Sequence, residues 1–159
     1  MVRELETNDR EWVGHFLREQ FGSTRVVSRG VLHEADRLPG FVALLDGVPS
    51  ASLTYHVANK ELEVVTLHSA RPGLGLGSRL LEAARAKARS LGCRRMWLIT
   101  TDDNEPAIRF YERWGMKLAA VHHEAIAQSR MLKPEIPLFG VDGQPIRDEV
   151  EFELLVSEA

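Results

Sequence analysis

Three glycines on alternate positions, Gly73, Gly75 and Gly77, separate a run with strand periodicity from one with helical periodicity in ARPGLGLGSRLLEAARAK, residues 70–87. A strand that passes through such a turn into a helix leaves the helix's first N–H groups unpaired, at the positive end of its dipole. That is an anion site, and glycine allows close backbone approach and positive φ. The order strand, glycine turn, helix calls for a fold mixing α and β elements and points to a phosphate-bearing ligand. Two familiar phosphate loops do not fit. A P-loop needs Gly-Lys-Ser/Thr, but Gly77 is followed by Ser78-Arg79. A dinucleotide fingerprint needs G-x-G-x-x-G on the first strand of a parallel unit, whereas here G-x-G-x-G follows what reads as an antiparallel meander. A purely geometric turn remains the alternative.

The rest of the chain reads around this loop. VRELE at 2–6 can open a sheet, and Asn8 or Asp9 can cap a helix over 10–22 with Trp12, Val13, Phe16, Leu17 and Phe21 on one stripe. Residues 23–40 mix a short strand with a helical turn. FVALLDGVPSASLTYHVANKELEVVTL holds three apolar runs separated by Asp46-Gly47 and Ala58-Asn59-Lys60, the pattern of a meander. A helix is expected from 78 to 92, a doubly covered strand at 94–101, and a second helix after Asn104 bounded by Pro106 and Gly115. MKLAAVHH and VEFELLV close the sheet, separated by a long connection at 124–148 that begins as a short helix and is rich in Pro134, Pro137, Gly140, Asp142-Gly143 and Pro145. A connection of that length calls for packing or a function of its own, as a lid or partner surface.

The 159 residues suit one domain spanning 1–159. With 20 basic and 23 acidic residues the net charge is −3, which gives no electrostatic reason to expect nucleic acid or an anionic membrane as partner. The charged start, and the lack of an apolar run of about 18 residues, predict a cytoplasmic protein. Cys93 is the only cysteine and reads as a packing residue. The six histidines show no metal-ligand spacing, so no metal is expected.

PGLGLG at 72–77 and NEPAIRFYERWGM at 104–116 together resemble the GNAT superfamily of acetyl-CoA-dependent N-acetyltransferases. The first is similar to the pyrophosphate motif R/Q-x-x-G-x-G/A at Gly75 and Gly77. The second is similar to N-x-x-A-x-x-F-Y-x-x-x-G-F at Asn104, Ala107, Phe110, Tyr111 and Gly115, with Met116 for the final Phe. Pro72 departs from the family pattern in the Arg/Gln slot, removing an N–H, and Arg71 is displaced by one. The tail KPEIPLFGVDGQPIRDEVEFEL resembles a bacterial branch of the superfamily without indicating a substrate.

The resemblance implies a mixed α/β domain with a splayed, mostly antiparallel central sheet flanked by helices. It implies transfer of the acetyl group of acetyl-CoA to a primary amine by direct attack, the acceptor being a small molecule or peptide; a homodimer is compatible with it. The alternative is an acyl-CoA-binding sensor without turnover. Gly73, Leu74, Gly75, Leu76, Gly77 and Ser78 would cradle the pyrophosphate. The backbone around Leu67 and His68 would pair with the pantetheine arm, and Asn104, Ala107 and Phe110 would complete the cofactor side. Tyr111 is similar to the family's general acid, though it also belongs to a core stripe. Glu61 and Glu63 alternate onto one strand face, and either could be the base, their mutual repulsion raising one pKa; a solvated strand face is the other reading. Asn104 also suits a helix cap, and His68 a structural role. Arg29, Arg147 and Asp148 are the polar candidates for the acceptor side, or simply surface charges.

Overall fold

The structure is a computed structural model that describes residues 1–140 and 143–156. Asp142 of the expected Asp142-Gly143 turn lies outside the described residues. The elements, in chain order, are β1 (Val2–Glu4), α1 (Arg10–Phe21), β2 (Arg25–Ser28), β3 (Val31–Glu34), β4 (Gly40–Leu45), β5 (Val48–Ala58), β6 (Glu61–Ser69), α2 (Leu76–Ser90), β7 (Arg95–Thr101), α3 (Glu105–Trp114), β8 (Lys117–His122), α4 (Ala125–Leu132) and β9 (Glu149–Leu155). The main sheet runs β1-β4-β5-β6-β7-β9-β8, and β2 and β3 form a separate hairpin. Among the described residues every strand pairing is antiparallel except β6 with β7.

The meander forms as expected because both of its two-residue turns accept positive φ. Asp46 and Gly47 stand at 50° and 78°, and Asn59 and Lys60 at 55° and 59°. These are the left-handed pairs whose twist matches that of the flanking strands. Residues 23–40 hold the expected short strand and helical turn and add a second strand: they build the β2–β3 hairpin, then a single 3-10 turn over Ala35–Arg37. The hairpin turns at Arg29 and Gly30, again with both φ positive, 47° and 76°. Arginine is unusual there, and Glu149 supports it, accepting from the Arg29 N–H at 3.2 Å and the guanidinium at 3.0 Å.

Helix α2 packs across β4, β5 and β6. Leu80, Leu81, Ala84 and Ala88 are buried with Leu53, Leu62, Met96 and Phe152 in the main core. Each fully buried leucine there contributes about 2 kcal/mol of apolar transfer. Val13 and Leu17 of α1 join Ala35 in a second cluster that touches Val65. Val64 belongs to the first core and Val65 to the second, so successive β6 residues face the two layers.

The 124–148 connection has its own packing. Arg130 donates to the carbonyls of Ile136, Pro137 and Ile146, and Asp102 accepts from the N–H groups of Arg147 and Asp148, both at 3.2 Å. The connection is thereby tied to the end of β7. Helix α2 begins at Leu76, two residues before the apolar pattern suggests, so Gly75 is its N-cap and Gly77 a helical residue.

Candidate active site

Strands β6 and β7 pair over Glu61–Val64 and Arg95–Leu98 only. Beyond Val64, β6 stays bonded to β5 on one side, while its other edge and the end of β7 diverge. A cavity of about 590 Å³ occupies the splay, with Thr66 and Leu67 on one wall and Ile99 to Thr101 on the other. The free β6 edge is what an extended ligand arm needs in order to bond like an added strand.

Helix α3 supplies Asn104, Ala107 and Tyr111 to the cavity. It starts there because the Asn104 side chain accepts from the Ala107 N–H at 3.4 Å, with Pro106 in the first turn, and it ends at Gly115 with φ 118°. Asn104 is thus both cap and cavity wall. The Tyr111 ring packs against Phe110 and Phe152, and burial pushes its hydroxyl up to about 12.

Glu63 also lines the cavity and is 5% exposed. Burial raises its carboxyl to about 7; the charges of Glu149 and Glu151 add to the shift, and the Ser28 hydroxyl opposes it. Glu63 Oε1 lies 3.7 Å from His33 Nε2, and Oε2 is buried without a partner. Glu61 is not among the lining residues: it faces Arg94 and Arg95 at 3.6 and 3.4 Å. The carboxylates acting on Glu63 come from β9. Glu149 is held by Arg29, while Glu151 accepts from Arg95 at 2.8 Å and shares a hydrogen with His122 at 2.9 Å. Burial works against the charge of Glu151, but these two partners more than offset it and hold its pKa low.

The other expected site residues are spread over the cavity wall and the elements around it. Leu67 lines the cavity, whereas the His68 ring packs tilted against Phe16 with centroids 4.2 Å apart, and burial lowers its pKa. Gly73, Leu74, Gly75, Leu76 and Ser78 form the turn and first residues of α2 outside the lining, Gly73 and Gly75 at φ 86° and 75°. Gly77 touches α3: a Cβ there would lie 3.1 Å from Phe110 Cζ, so the bare backbone lets the start of α2 sit against the helix carrying Tyr111. Arg29 reaches the cavity only through Glu149. Arg147 is exposed, and Asp148 accepts from the Glu124 N–H at 2.9 Å and approaches His123 Nδ1 at 3.2 Å; neither lines the cavity.

Lys133 and Glu149 line the cavity but were missed in the sequence. The Lys133 ammonium donates to the Arg25 carbonyl at 2.7 Å; burial lowers its pKa, with Glu135 opposing the shift and Arg25 adding to it. Glu149, Glu151 and Glu153 alternate along β9, a spacing that could have announced an acidic strand face. No signal in the sequence marks Lys133.

The profile of the Acetyltransferase (GNAT) family matches residues 3–116. YdhI of Bacillus subtilis (strain 168), an uncharacterised protein, is 35% identical over 142 residues, covering 89% of each chain. The ribosomal-protein-S18-alanine N-acetyltransferase of Escherichia coli superimposes with a TM-score of 0.70 at 20% identity, covering 100% of this chain and 95% of that one. A Bacillus subtilis acetyltransferase crystallised in complex with CoA superimposes with a TM-score of 0.69 at 17% identity, covering 98% and 99%.

Proposed function

This chain belongs to the GNAT acetyltransferase family, and from that premise we propose that it moves the acetyl group of acetyl-CoA onto a primary amine carried on an apolar body. The observation that carries the reading is Glu63: a carboxylate 5% exposed, raised to about 7, in a cavity that Tyr111 lines as well. Around it, Phe21, Val26, Ile126 and Ile146 offer apolar walls, which suits an amine whose charge is its only strongly polar feature.

The cradle suits CoA in two respects: the start of α2 after Gly75 presents unpaired N–H groups to a pyrophosphate, and the free edge of β6 can bond an extended arm. Acetyl-CoA bound there supplies an acyl carbon activated by its thioester. Glu63 takes a proton from the incoming ammonium, and a base near pH 7 is well matched to that task. An N–H on the β6 edge stabilises the negative charge that develops on the acyl oxygen. The Tyr111 hydroxyl donates to the leaving sulfur. Held near 12, it stays protonated throughout the working range, and full transfer to a thiolate of ordinary pKa, about 8.5, is uphill. Tyr111 therefore acts chiefly as a hydrogen-bond donor while charge builds on sulfur, and the thiolate takes its proton from the acceptor nitrogen, which loses a second one as the amide forms.

The test is release of CoA thiol from acetyl-CoA across primary amines, with 2-phenylethylamine as the apolar representative. Amine-dependent thiol release that Glu63→Gln lowers by about 100-fold is the expected result. Tight CoA binding with no acceleration by any amine would overturn the transfer reading in favour of a binding-only module.

A further inference from the structure

His33 Nε2 and Glu63 Oε2 are buried side chain against side chain, and neither makes a hydrogen bond of normal geometry among the described residues. Folded proteins pair nearly all such atoms directly or through ordered water, and one bridging water between His33 and Glu63 would satisfy both. His33 is 7% exposed, on β3, with Nε2 3.7 Å from Glu63 Oε1. Its ring is 5.2 Å, centroid to centroid, from the ring of His56, which is exposed and lies directly across from Glu63 in the β5–β6 register. Glu63, His33 and His56 thus lead from the cavity wall to solvent.

We propose that His33 and His56 form the exit path for the proton that Glu63 takes from the acceptor amine. The inference rests on the transfer reading above. Acetylation of a charged amine releases one net proton: of the two lost from nitrogen, one ends on the CoA thiol and the other must reach water. Glu63 is 5% exposed, and an acceptor seated in the cavity covers its front. The N–H bond breaks as an O–H bond forms on Glu63. That O–H then breaks as His33 Nε2 gains the proton, and His33 Nδ1 passes one on through His56 to water. The 3.7 Å gap needs only a small closure or one bridging water. Burial lowers the pKa of His33 and the neighbouring His56 adds to the shift, so a proton passed to His33 moves on rather than resting there. The other groups facing Glu63 are Ser28 from the hairpin and Glu149 and Glu151 from β9, the last two held by Arg29 and by Arg95 with His122.

The full chain carrying His33→Gln, His56→Gln or Glu63→Gln is compared with wild type for acetyl transfer to 2-phenylethylamine between pH 6 and 9, in H2O and D2O. A relay predicts that His56→Gln lowers kcat about tenfold, raises the solvent isotope effect and is rescued by added imidazole, with the KM for acetyl-CoA unchanged. His33→Gln is expected to lose more and to resist rescue. Because His56 is exposed, its variant tests the path without disturbing the core. If Glu63→Gln loses activity while both histidine variants keep the wild-type rate, pH profile and isotope effect, the relay alone is overturned. If Glu63→Gln keeps the wild-type rate, the base reading falls and the relay with it. Independently of any acceptor, the ring nitrogens of His33 in the CoA complex should titrate in a step that Glu63→Gln moves; a titration indifferent to Glu63 overturns the relay.

Discussion

At position 63 a carboxylate is kept out of water, and the cost should show as a pH dependence of stability. Its folded value of about 7 lies above the ordinary 4.5. The unfolded chain therefore releases this proton first, and the contribution to stability is full below about pH 4.5 and is lost as pH rises toward 7, about 3 kcal/mol in all. Glu63→Gln removes that slope. In urea melts, the stability of wild type relative to the variant should fall between pH 4.5 and pH 8, and parallel curves would contradict the burial argument. The same variant is expected to lose activity, so stability and function conflict at this residue. For Tyr111→Phe the expectation is a fall in kcat of about 100-fold with acetyl-CoA affinity nearly unchanged; equal loss of both would mean the hydroxyl serves packing or binding instead.

Among the elements, the α2–α3 contact turns on one close approach. Gly77→Ala improves helix propensity by about 1 kcal/mol but sets a methyl 3.1 Å from Phe110 Cζ, and overpacking of that kind costs about 1–3 kcal/mol. Net destabilisation is expected, and Phe110→Leu on the same chain should relieve it. A double-mutant cycle in denaturant melts measures the coupling, and additivity within about 0.5 kcal/mol would show that the close approach has no energetic consequence. The β2–β3 hairpin depends on a different partnership. Its turn residue Arg29 is stabilised by Glu149, 120 positions away, which brings Ser28 and His33 to Glu63.

Across the whole molecule, the short parallel pairing of β6 with β7 opens the cavity, and the tie from Asp102 to Arg147 and Asp148 brings the long connection over one end of it. Asp102→Ala removes the acceptor of two partly solvated backbone N–H groups and should cost about 1 kcal/mol. Because Lys133 and Ile146 reach the cavity from that connection, the KM for the amine should rise more than the KM for acetyl-CoA. A rise in both to the same degree would show that the connection serves the fold rather than the acceptor. No described helix is long and apolar enough to cross a membrane.

Local chemistry was legible in the chain itself. The meander with its two left-handed turns, the capped α3 and the core stripe of α2 follow from side-chain periodicity and from residues that accept positive φ, interactions made within a few positions. The paired motifs at 72–77 and 104–116 likewise pointed to the family, because a glycine turn and a capped helix carry their chemistry in short spans. Tertiary structure alone set the surroundings of Glu61 and Glu63 apart: periodicity gives both one strand face, but only the fold brings Arg94 and Arg95 to the first and His33 with two β9 carboxylates to the second. It likewise decided that Arg29 could occupy a turn, that Gly77 is packed on Phe110, and that Lys133 reaches the cavity. Burial and long-range charge set a side chain's chemistry, and both depend on which distant strands the fold brings alongside.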